Sequence, residues 1–111
     1  EVITGSTRMK AGTATKLILN MLSTAAMIKL GKVYENLMVD LKAINIKLTD
    51  RAERIITAVT GVSREDAKKL LTDAYGNAKV AIVMQKLSLE YAEAKKRLDA
   101  NGGFVRRVLQ Q

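Results

Sequence analysis

The most apolar stretch of the chain runs from Leu17 to Ile28 and predicts a long helix. Between Thr13 and Leu30 apolar side chains cover nearly every face, and a helix that is hydrophobic all round is buried on most sides. Gly31 is expected to end it, with lysines on either side placed near the last carbonyl groups. Because spanning a bilayer takes about 20 apolar residues, we expect this helix to be buried in protein and the chain to have no membrane partner.

After residue 45 the pattern changes to short helices that each have one apolar face. The first is predicted from about Leu48 to Thr60, with Thr49 or Asp50 near its start, because its apolar residues follow the i, i+3, i+4, i+7 spacing. The second begins at the capping-box-like Ser63-Arg-Glu-Asp66. We expect glycines 61 and 76 to end these two helices, and their apolar faces to be Ala52, Ile55, Ile56 and Val59, then Ala67, Leu70, Leu71 and Ala74.

Two further helices are predicted, capped by Asn77 and by Ser88. The last of them ends at Gly102-Gly103, and Phe104–Leu109 follows as a short amphipathic turn or helix. The segment Val33–Asn45 is predicted to be an irregular connector with some strand character. We therefore draw a boundary near residue 47, between a buried helix and a compact bundle of capped amphipathic helices.

The start of the chain has the composition of a site for a polar ligand. The β-prone residues Val2–Thr4 are followed by Gly5-Ser6-Thr7 and Gly12-Thr13, and then by the long helix. Free N–H groups at a helix N-terminus favour anions, and hydroxyl groups add donors. The alternative is a solvated loop with a helix cap, since the stretch has neither the P-loop pattern nor the dinucleotide pattern of glycines. Its cations are Arg8, Lys10 and Lys16.

Composition excludes several functions. Nineteen Lys and Arg against eleven Asp and Glu give the 111-residue chain a formal charge of +8. A positive charge of this size makes nucleic acid a candidate partner. The basic residues are scattered and only three tyrosines and one phenylalanine offer stacking platforms, so we expect no nucleic acid binding. The chain has no Cys and no His, which excludes disulfides, thiol nucleophiles, ordinary zinc sites and Ser-His-Asp catalysis within it.

The chain is expected to be the C-terminal piece of a longer protein. It begins with Glu1 in the middle of the predicted strand, and no later segment supplies a convincing partner for that strand. Part of the positive charge is then available to balance acidic residues elsewhere in the protein.

Residues Thr60–Met84 resemble a ubiquitin-associated three-helix domain. The pattern consists of a capped helix, a Gly-Asn turn and an Ala-Ile-x-x-Met helix around a small core. Domains of that family bind ubiquitin through a Met-Gly-Phe/Tyr loop, whereas the matching loop here is Thr60-Gly61-Val62. The resemblance therefore implies the fold and not ubiquitin binding.

A more specific resemblance extends over essentially the whole chain. Several separate motifs, in the right order, are similar to the C-terminal part of the N-acetylmuramic acid 6-phosphate etherase family. The same motifs are similar, more loosely, to glucokinase regulatory protein, which binds fructose phosphates and performs no chemistry. The motifs are Glu1–Lys16, Leu19–Thr24, Leu30–Tyr34, Asn36–Asp40, Gly76–Met84 and Gly102–Phe104.

This resemblance implies both a fold and a reaction. The chain would be mainly α, with the C-terminal part of an α/β/α sugar isomerase (SIS) domain in residues 1–47 and a small ubiquitin-associated-like helical bundle in residues 48–111. The family removes the D-lactyl ether from C3 of the sugar phosphate by elimination across C2–C3, followed by addition of water. It uses no metal and no nucleotide cofactor, acts as a homodimer in the cytoplasm, and needs a carboxylate pair as base and acid.

The resemblance also implies which residues here meet the sugar phosphate. The catalytic glutamates of the family lie in the N-terminal part, which is absent from this chain. Glu1 is expected to accept hydrogen bonds from sugar hydroxyls. The remaining candidates each have a structural alternative: they are Ser6, Thr7 and Lys10 (pocket floor or capping of the following helix), Asn77 (ligand or N-cap) and Lys79 (ligand or solvated lysine).

For Lys79 the residues themselves support the ligand role. It stands three positions after Gly76 at a predicted helix N-terminus, where a cation is unfavourable unless an anion lies nearby. The rival functions left open are a non-catalytic sugar-phosphate-binding regulator and a protein-binding adaptor, and we expect this chain alone to catalyse nothing.

Overall fold

The computed structural model describes residues 2–111, so the predicted role of Glu1 lies outside the described residues. This part of the chain contains six helices and one small sheet, which confirms the expectation of a mainly α chain. The elements in order are α1 (Lys10–Lys29), β1 (Val33–Tyr34), β2 (Leu37–Met38), α2 (Ile46–Thr60), α3 (Arg64–Asp73), α4 (Ala78–Leu87), α5 (Tyr91–Ala100) and α6 (Val105–Leu109).

The long apolar helix α1 is exposed along its whole length. It begins at Lys10, earlier than Thr13, and ends before Gly31, whose φ of 73° reverses the chain as predicted. No residue of α1 is buried, so the expectation of a buried helix is wrong within this chain. The reason is that the other described helices pack on one another and leave α1 without a neighbour along its sides. Its exposed large apolar side chains are Leu17, Ile18, Leu19, Met21, Leu22, Met27 and Ile28.

The accessible surface area is large for a chain of this mass. It measures 7618 Å², whereas a compact protein of 12.2 kDa exposes about 6,100 Å². The excess of roughly 1,500 Å² is about twice what one partner loses in a standard-size interface, and it falls in the range that one subunit loses in an obligate dimer. The surface therefore has the size and the apolar character of one that a protein partner covers.

The predicted strand Val2–Thr4 does not form. Residues 2–9 are loop and turn, and Gly5 takes a φ of 85° there. A strand needs a neighbour for its N–H and C=O groups, and the sheet in the described part of the chain consists of β1 and β2 alone. These two strands pair antiparallel, with Val33 opposite Met38, in the segment where strand character was predicted.

Helix α4 forms the centre of the bundle. All seven residues from Ala78 to Met84 are buried, because α2, α3, α5 and α6 all pack against this one helix. The hairpin contributes Val39, which is fully buried in the same core. The β1–β2 hairpin therefore packs against the helical bundle, whereas α1 does not. The domain boundary near residue 47 stays a prediction. The apolar faces predicted for α2 and α3 contribute Ala52, Ile55, Ile56, Ala67, Leu71 and Ala74 to this core.

Two helix starts are correctly predicted and two are not. The side chains of Ser63 and Asn77 accept hydrogen bonds from the N–H groups of Asp66 and Val80, which confirms both N-caps. Helix α2 begins earlier than predicted, because Asn45 caps it by accepting from the Leu48 N–H at 2.8 Å. The start predicted at about Leu48 is therefore two residues late, although Thr49 and Asp50 do lie near the start of the helix.

The fourth helix of the bundle also begins elsewhere. Ser88 ends α4 in a left-handed conformation with φ of 52°, and α5 begins at Tyr91, with Glu90 at its N-cap position. An N-cap residue has extended φ and ψ angles, so Ser88 cannot cap α5 in this conformation. Helix α6 occupies the tail where a short amphipathic helix or turn was predicted.

Candidate functional site

Lys79 is the one charged residue among the buried side chains of the described chain. It lies in the first turn of α4, and only 8% of it is exposed. Its Nζ donates a hydrogen bond to the backbone carbonyl of Gly103 at 2.8 Å. The same Nζ lies 3.6 Å from Oδ1 of Asp40. The alternative of a solvated lysine is therefore wrong.

Asp40 stands between two lysines. Its Oδ2 accepts a hydrogen bond from Lys32 Nζ at 2.6 Å, and its Oδ1 faces Lys79. Partial burial, the largest single influence, raises the pKa of this carboxyl, but the hydrogen bond from Lys32 and the charges of both lysines together outweigh it and hold the pKa below its usual value. We call Lys32, Asp40 and Lys79 the lysine–aspartate cluster.

The hairpin places Asp40 in this cluster. A turn at Glu35, with φ of 52°, folds β2 back on β1. The backbone N–H groups of Val39 and Asp40 then both donate to the carbonyl of Lys32, at 3.0 and 3.2 Å. Asp40 is thus held beside Lys32 by its backbone as well as by its side chain.

The C-terminal segment closes the other side of the site. The ring of Phe104 packs on Gly31, where a Cβ atom would lie only 3.1 Å from the ring. Arg106 pairs with Glu35 at 3.0 Å, and Arg107 stacks over Phe104 with its guanidinium carbon 4.0 Å from the ring centroid. These contacts hold the loop that carries Gly103 against the hairpin.

The anion expected near Lys79 is provided by a residue of the same chain. A cation in the first turn of a helix is unfavourable unless an anion lies near it. Asp40 supplies that anion from the hairpin. The need for a counter-ion is therefore satisfied without a ligand, and a ligand role for Lys79 stays a prediction that needs other support.

Asn77 is the N-cap of α4, which was the structural alternative to a ligand role. Its Oδ1 caps α4 by accepting from the Val80 N–H at 3.2 Å. The connector is tied to the same helix terminus, because Ala43 donates to the carbonyl of Gly76 and Ala78 donates to the carbonyl of Leu41. Within residues 2–111 the side-chain amide nitrogen of Asn77 donates no hydrogen bond, so it is free to face a ligand.

Ser6, Thr7 and Lys10 lie at the start of α1. Ser6 is half-buried and Thr7 is exposed. Thr7 supports the helix through its backbone carbonyl, which accepts from Gly12 N–H at 2.8 Å, while Met9 at the N-cap position makes no side-chain cap. An apolar groove lined by Val2, Met9, Lys10, Thr13, Ala14 and Leu17 runs beside this end of the helix.

The structure does not bring the two groups of predicted site residues together within one chain. Helix α1 has 20 residues and is therefore about 30 Å long. Lys10 is at one end of it, and the hairpin that carries Lys32 and Asp40 follows the other end. Asn77 and Lys79 lie in the bundle with that hairpin, so the length of α1 separates them from Ser6, Thr7 and Lys10.

Comparison with known proteins relates the chain to one group of enzymes. It is 54% identical over 110 residues to an N-acetylmuramic acid 6-phosphate etherase of Enterobacter sp. (strain 638), and 52% identical over 110 residues to those of Salmonella paratyphi B and Salmonella schwarzengrund. All three of these relatives are named N-acetylmuramic acid 6-phosphate etherase. The resemblance found in the sequence is thereby confirmed. Each match covers 99% of this chain and 37% of the relative's length.

The chain thus spans little more than a third of the length of the etherases that it matches. No family model matches it. Within residues 2–111 no helix is long and apolar enough to cross a membrane, and no group of three or more acidic side chains is arranged to hold a metal ion.

Sequence reasoning missed Lys32, Asp40 and Gly103 as members of the site. One signal pointed toward Asp40, because the unfavourable position of Lys79 called for a nearby anion. Local spacing could not identify either partner of Lys79, since Asp40 lies in the connector and Gly103 lies in a loop 24 residues after Lys79.

Proposed function

We propose that this chain is the C-terminal segment of a lyase that cleaves the D-lactyl ether of N-acetylmuramic acid 6-phosphate, giving N-acetylglucosamine 6-phosphate and D-lactate. The observation that carries the proposal is the identity of 52–54% to etherases along 99% of the chain. In this reading residues 1–47 belong to an α/β/α SIS domain and residues 48–111 form a ubiquitin-associated-like bundle. We place the reaction in the cytoplasm.

The elimination needs two proton transfers, and neither it nor the hydration needs a redox partner. A base removes the proton at C2, its electron pair forms the C2=C3 double bond, and the bond from C3 to the ether oxygen breaks as that oxygen takes a proton and leaves in D-lactate. Water then adds across the double bond, with its oxygen on C3 and a proton on C2. No metal, nucleotide or oxidant enters this balance.

Three of the described carboxylates are already engaged by arginines, which supports placing the base and the acid outside this chain. Arg64 donates to Asp50 at 2.7 Å and to Glu53 at 2.9 Å, and Arg97 donates to Glu93 at 3.1 Å. A general base needs a free lone pair aimed at its proton, whereas these groups face arginines. The segment is therefore proposed to bind and orient the sugar phosphate and to catalyse nothing alone.

The binding role rests on two sets of residues. Lys79 and Asn77 offer an ammonium and a free amide nitrogen beside the N-terminus of α4. Ser6, Thr7 and Lys10, together with Glu1, form the second set. Because α1 is about 30 Å long, we propose that the sets meet in a homodimer, with one set from each subunit and with the apolar surface of α1 covered in the assembly.

The test is release of D-lactate from N-acetylmuramic acid 6-phosphate, measured with a coupled D-lactate dehydrogenase assay. The full-length protein is expected to release D-lactate and residues 1–111 alone to release none. D-lactate from residues 1–111 would refute the inactivity of the segment. Sugar-phosphate binding by the full-length protein without D-lactate release would replace the lyase with the non-catalytic regulator.

A further inference from the structure

We propose that Asp40 is a positioning residue that holds the ammonium group of Lys79 in place for the sugar phosphate. This inference rests on the proposed function, in which Lys79 contacts that ligand. It adds a residue from the hairpin to a site otherwise built from α4 and the start of the chain.

The carboxylate of Asp40 is held so that it can act as a fixed counter-ion. Lys32 binds its Oδ2 at 2.6 Å, and the backbone N–H of Asp40 donates to the Lys32 carbonyl at 3.2 Å. With one oxygen and the backbone engaged in this way, the second oxygen, Oδ1, is directed at Lys79. Lys32 therefore fixes Asp40, and Asp40 in turn fixes Lys79.

Gly103 also limits the position of the ammonium group. Its carbonyl accepts from Lys79 Nζ at 2.8 Å, and a Cβ at this position would lie only 3.2 Å from the same Nζ. The φ of Gly103 is 79°, which favours glycine. The ammonium thus has two protein partners, the Gly103 carbonyl at 2.8 Å and the Asp40 carboxylate at 3.6 Å.

This arrangement leaves Lys79 able to bind an anion. An ammonium group has three N–H donors, and one of them is used on Gly103. The 3.6 Å separation from Asp40 is longer than an ordinary hydrogen bond, so the contact between the carboxylate and the ammonium is mainly electrostatic. The side chain of Asp40 is 37% exposed and that of Lys79 is 10% exposed, so the open side of the cluster is the one next to Asp40. Two lysines against one carboxylate leave the cluster with a net charge of +1, which favours a phosphate.

The test compares KM and kcat for N-acetylmuramic acid 6-phosphate in the full-length protein and three variants. Asp40→Asn keeps the shape of the side chain and removes its charge, and is expected to raise KM about tenfold with little change in kcat. Lys79→Met is expected to raise KM at least as much. The matched control is Asp99→Asn, which removes an exposed carboxylate paired with Lys95 at 3.4 Å on the same helix, and is expected to leave both constants unchanged.

The outcomes separate this inference from the function on which it rests. If Lys79→Met raises KM while Asp40→Asn stays within about twofold of the unchanged protein, the positioning role is refuted and the ligand role of Lys79 stands. If Lys79→Met leaves KM unchanged, the ligand role is refuted and the positioning role with it. Equal effects of Asp40→Asn and Asp99→Asn would also refute the inference.

A conservative variant keeps the test decisive if Asp40→Asn does not fold, which circular dichroism would reveal. Asp40→Glu retains the charge and moves it by one methylene group. A positioning role predicts a raised KM with unchanged kcat and an unchanged melting temperature for this variant. An unchanged KM in folded Asp40→Glu would then overturn the proposal.

Discussion

Replacing Lys79 by methionine tests whether its ammonium group stabilises the bundle. Methionine keeps most of the length and volume of the side chain and removes its charge. The substitution deletes the hydrogen bond to the Gly103 carbonyl and the ion pair with Asp40. It leaves Asp40 paired with Lys32, so no carboxylate loses its last partner.

The magnitude follows from three contributions. A hydrogen bond from a charged donor contributes about 1.5–3 kcal/mol. The ion pair contributes about 0–1 kcal/mol, because Asp40 is more than a third exposed. Removing the cost of burying an ammonium group at a helix N-terminus offsets roughly 1–2 kcal/mol of this. We therefore expect Lys79→Met to lower the free energy of unfolding by about 1–2 kcal/mol.

The assay is urea denaturation of residues 1–111, followed by far-UV circular dichroism. The control is Lys86→Met, because Lys86 lies on the same helix with its side chain exposed, and its replacement is expected to change stability by less than about 0.5 kcal/mol. Equal unfolding free energies for the two variants would show that the Gly103 and Asp40 contacts do not stabilise the bundle.

Three further predictions concern the core, the hydroxyl groups and pH. Ile56→Ala should lower the unfolding free energy of residues 1–111 by about 2–5 kcal/mol. Ile18→Ala should change it little, because Ile56 is buried and Ile18 is exposed. Equal losses of unfolding free energy, measured by urea denaturation, would refute the exposure of α1. Thr57→Val should raise the melting temperature, since its buried hydroxyl has no partner in the described residues, while Thr60→Val loses a 2.6 Å bond and should not. The pKa of Asp40 is lowered in the fold, so the ionised carboxylate stabilises the protein at pH values above the ordinary aspartate pKa. This contribution disappears as the pH falls through the lowered pKa. Asp40→Asn should therefore flatten the acid end of the stability–pH curve measured by thermal melts.

The outcome at the helix ends shows how far local reasoning reaches. Ser63 and Asn77 cap the helices predicted for them, because an N-cap depends on residues within one turn. Asn45 was missed because the first turn of α2 contains Ile46, which is 90% exposed and adds nothing to the apolar face from which the start was predicted. The prediction that Ser88 caps α5 was wrong, because Ser88 takes the left-handed conformation that ends α4.

The candidate site was predictable only in part. Lys79 was named from the family resemblance, with its place at a helix N-terminus as support, and the structure shows the carboxylate of Asp40 at 3.6 Å from its Nζ. The carbonyl and the carboxylate that meet it come from residues far along the chain, and no spacing rule connects them to Lys79. The ligand roles of Ser6, Thr7, Lys10, Asn77 and Lys79 remain predictions.

By itself, the sequence determined the mainly helical class, the apolar character of α1, most turns between helices and the kinship with the etherases. Those features depend on periodicity, on glycine and cap residues, and on residue-by-residue similarity, all of which are readable along the chain. Only the tertiary structure decided that Lys79 is buried against Gly103 and Asp40, that the hairpin packs with the bundle, and that α1 is left uncovered. These outcomes depend on which distant surfaces meet, and a hydrophobic pattern states that a surface must be covered without stating what covers it.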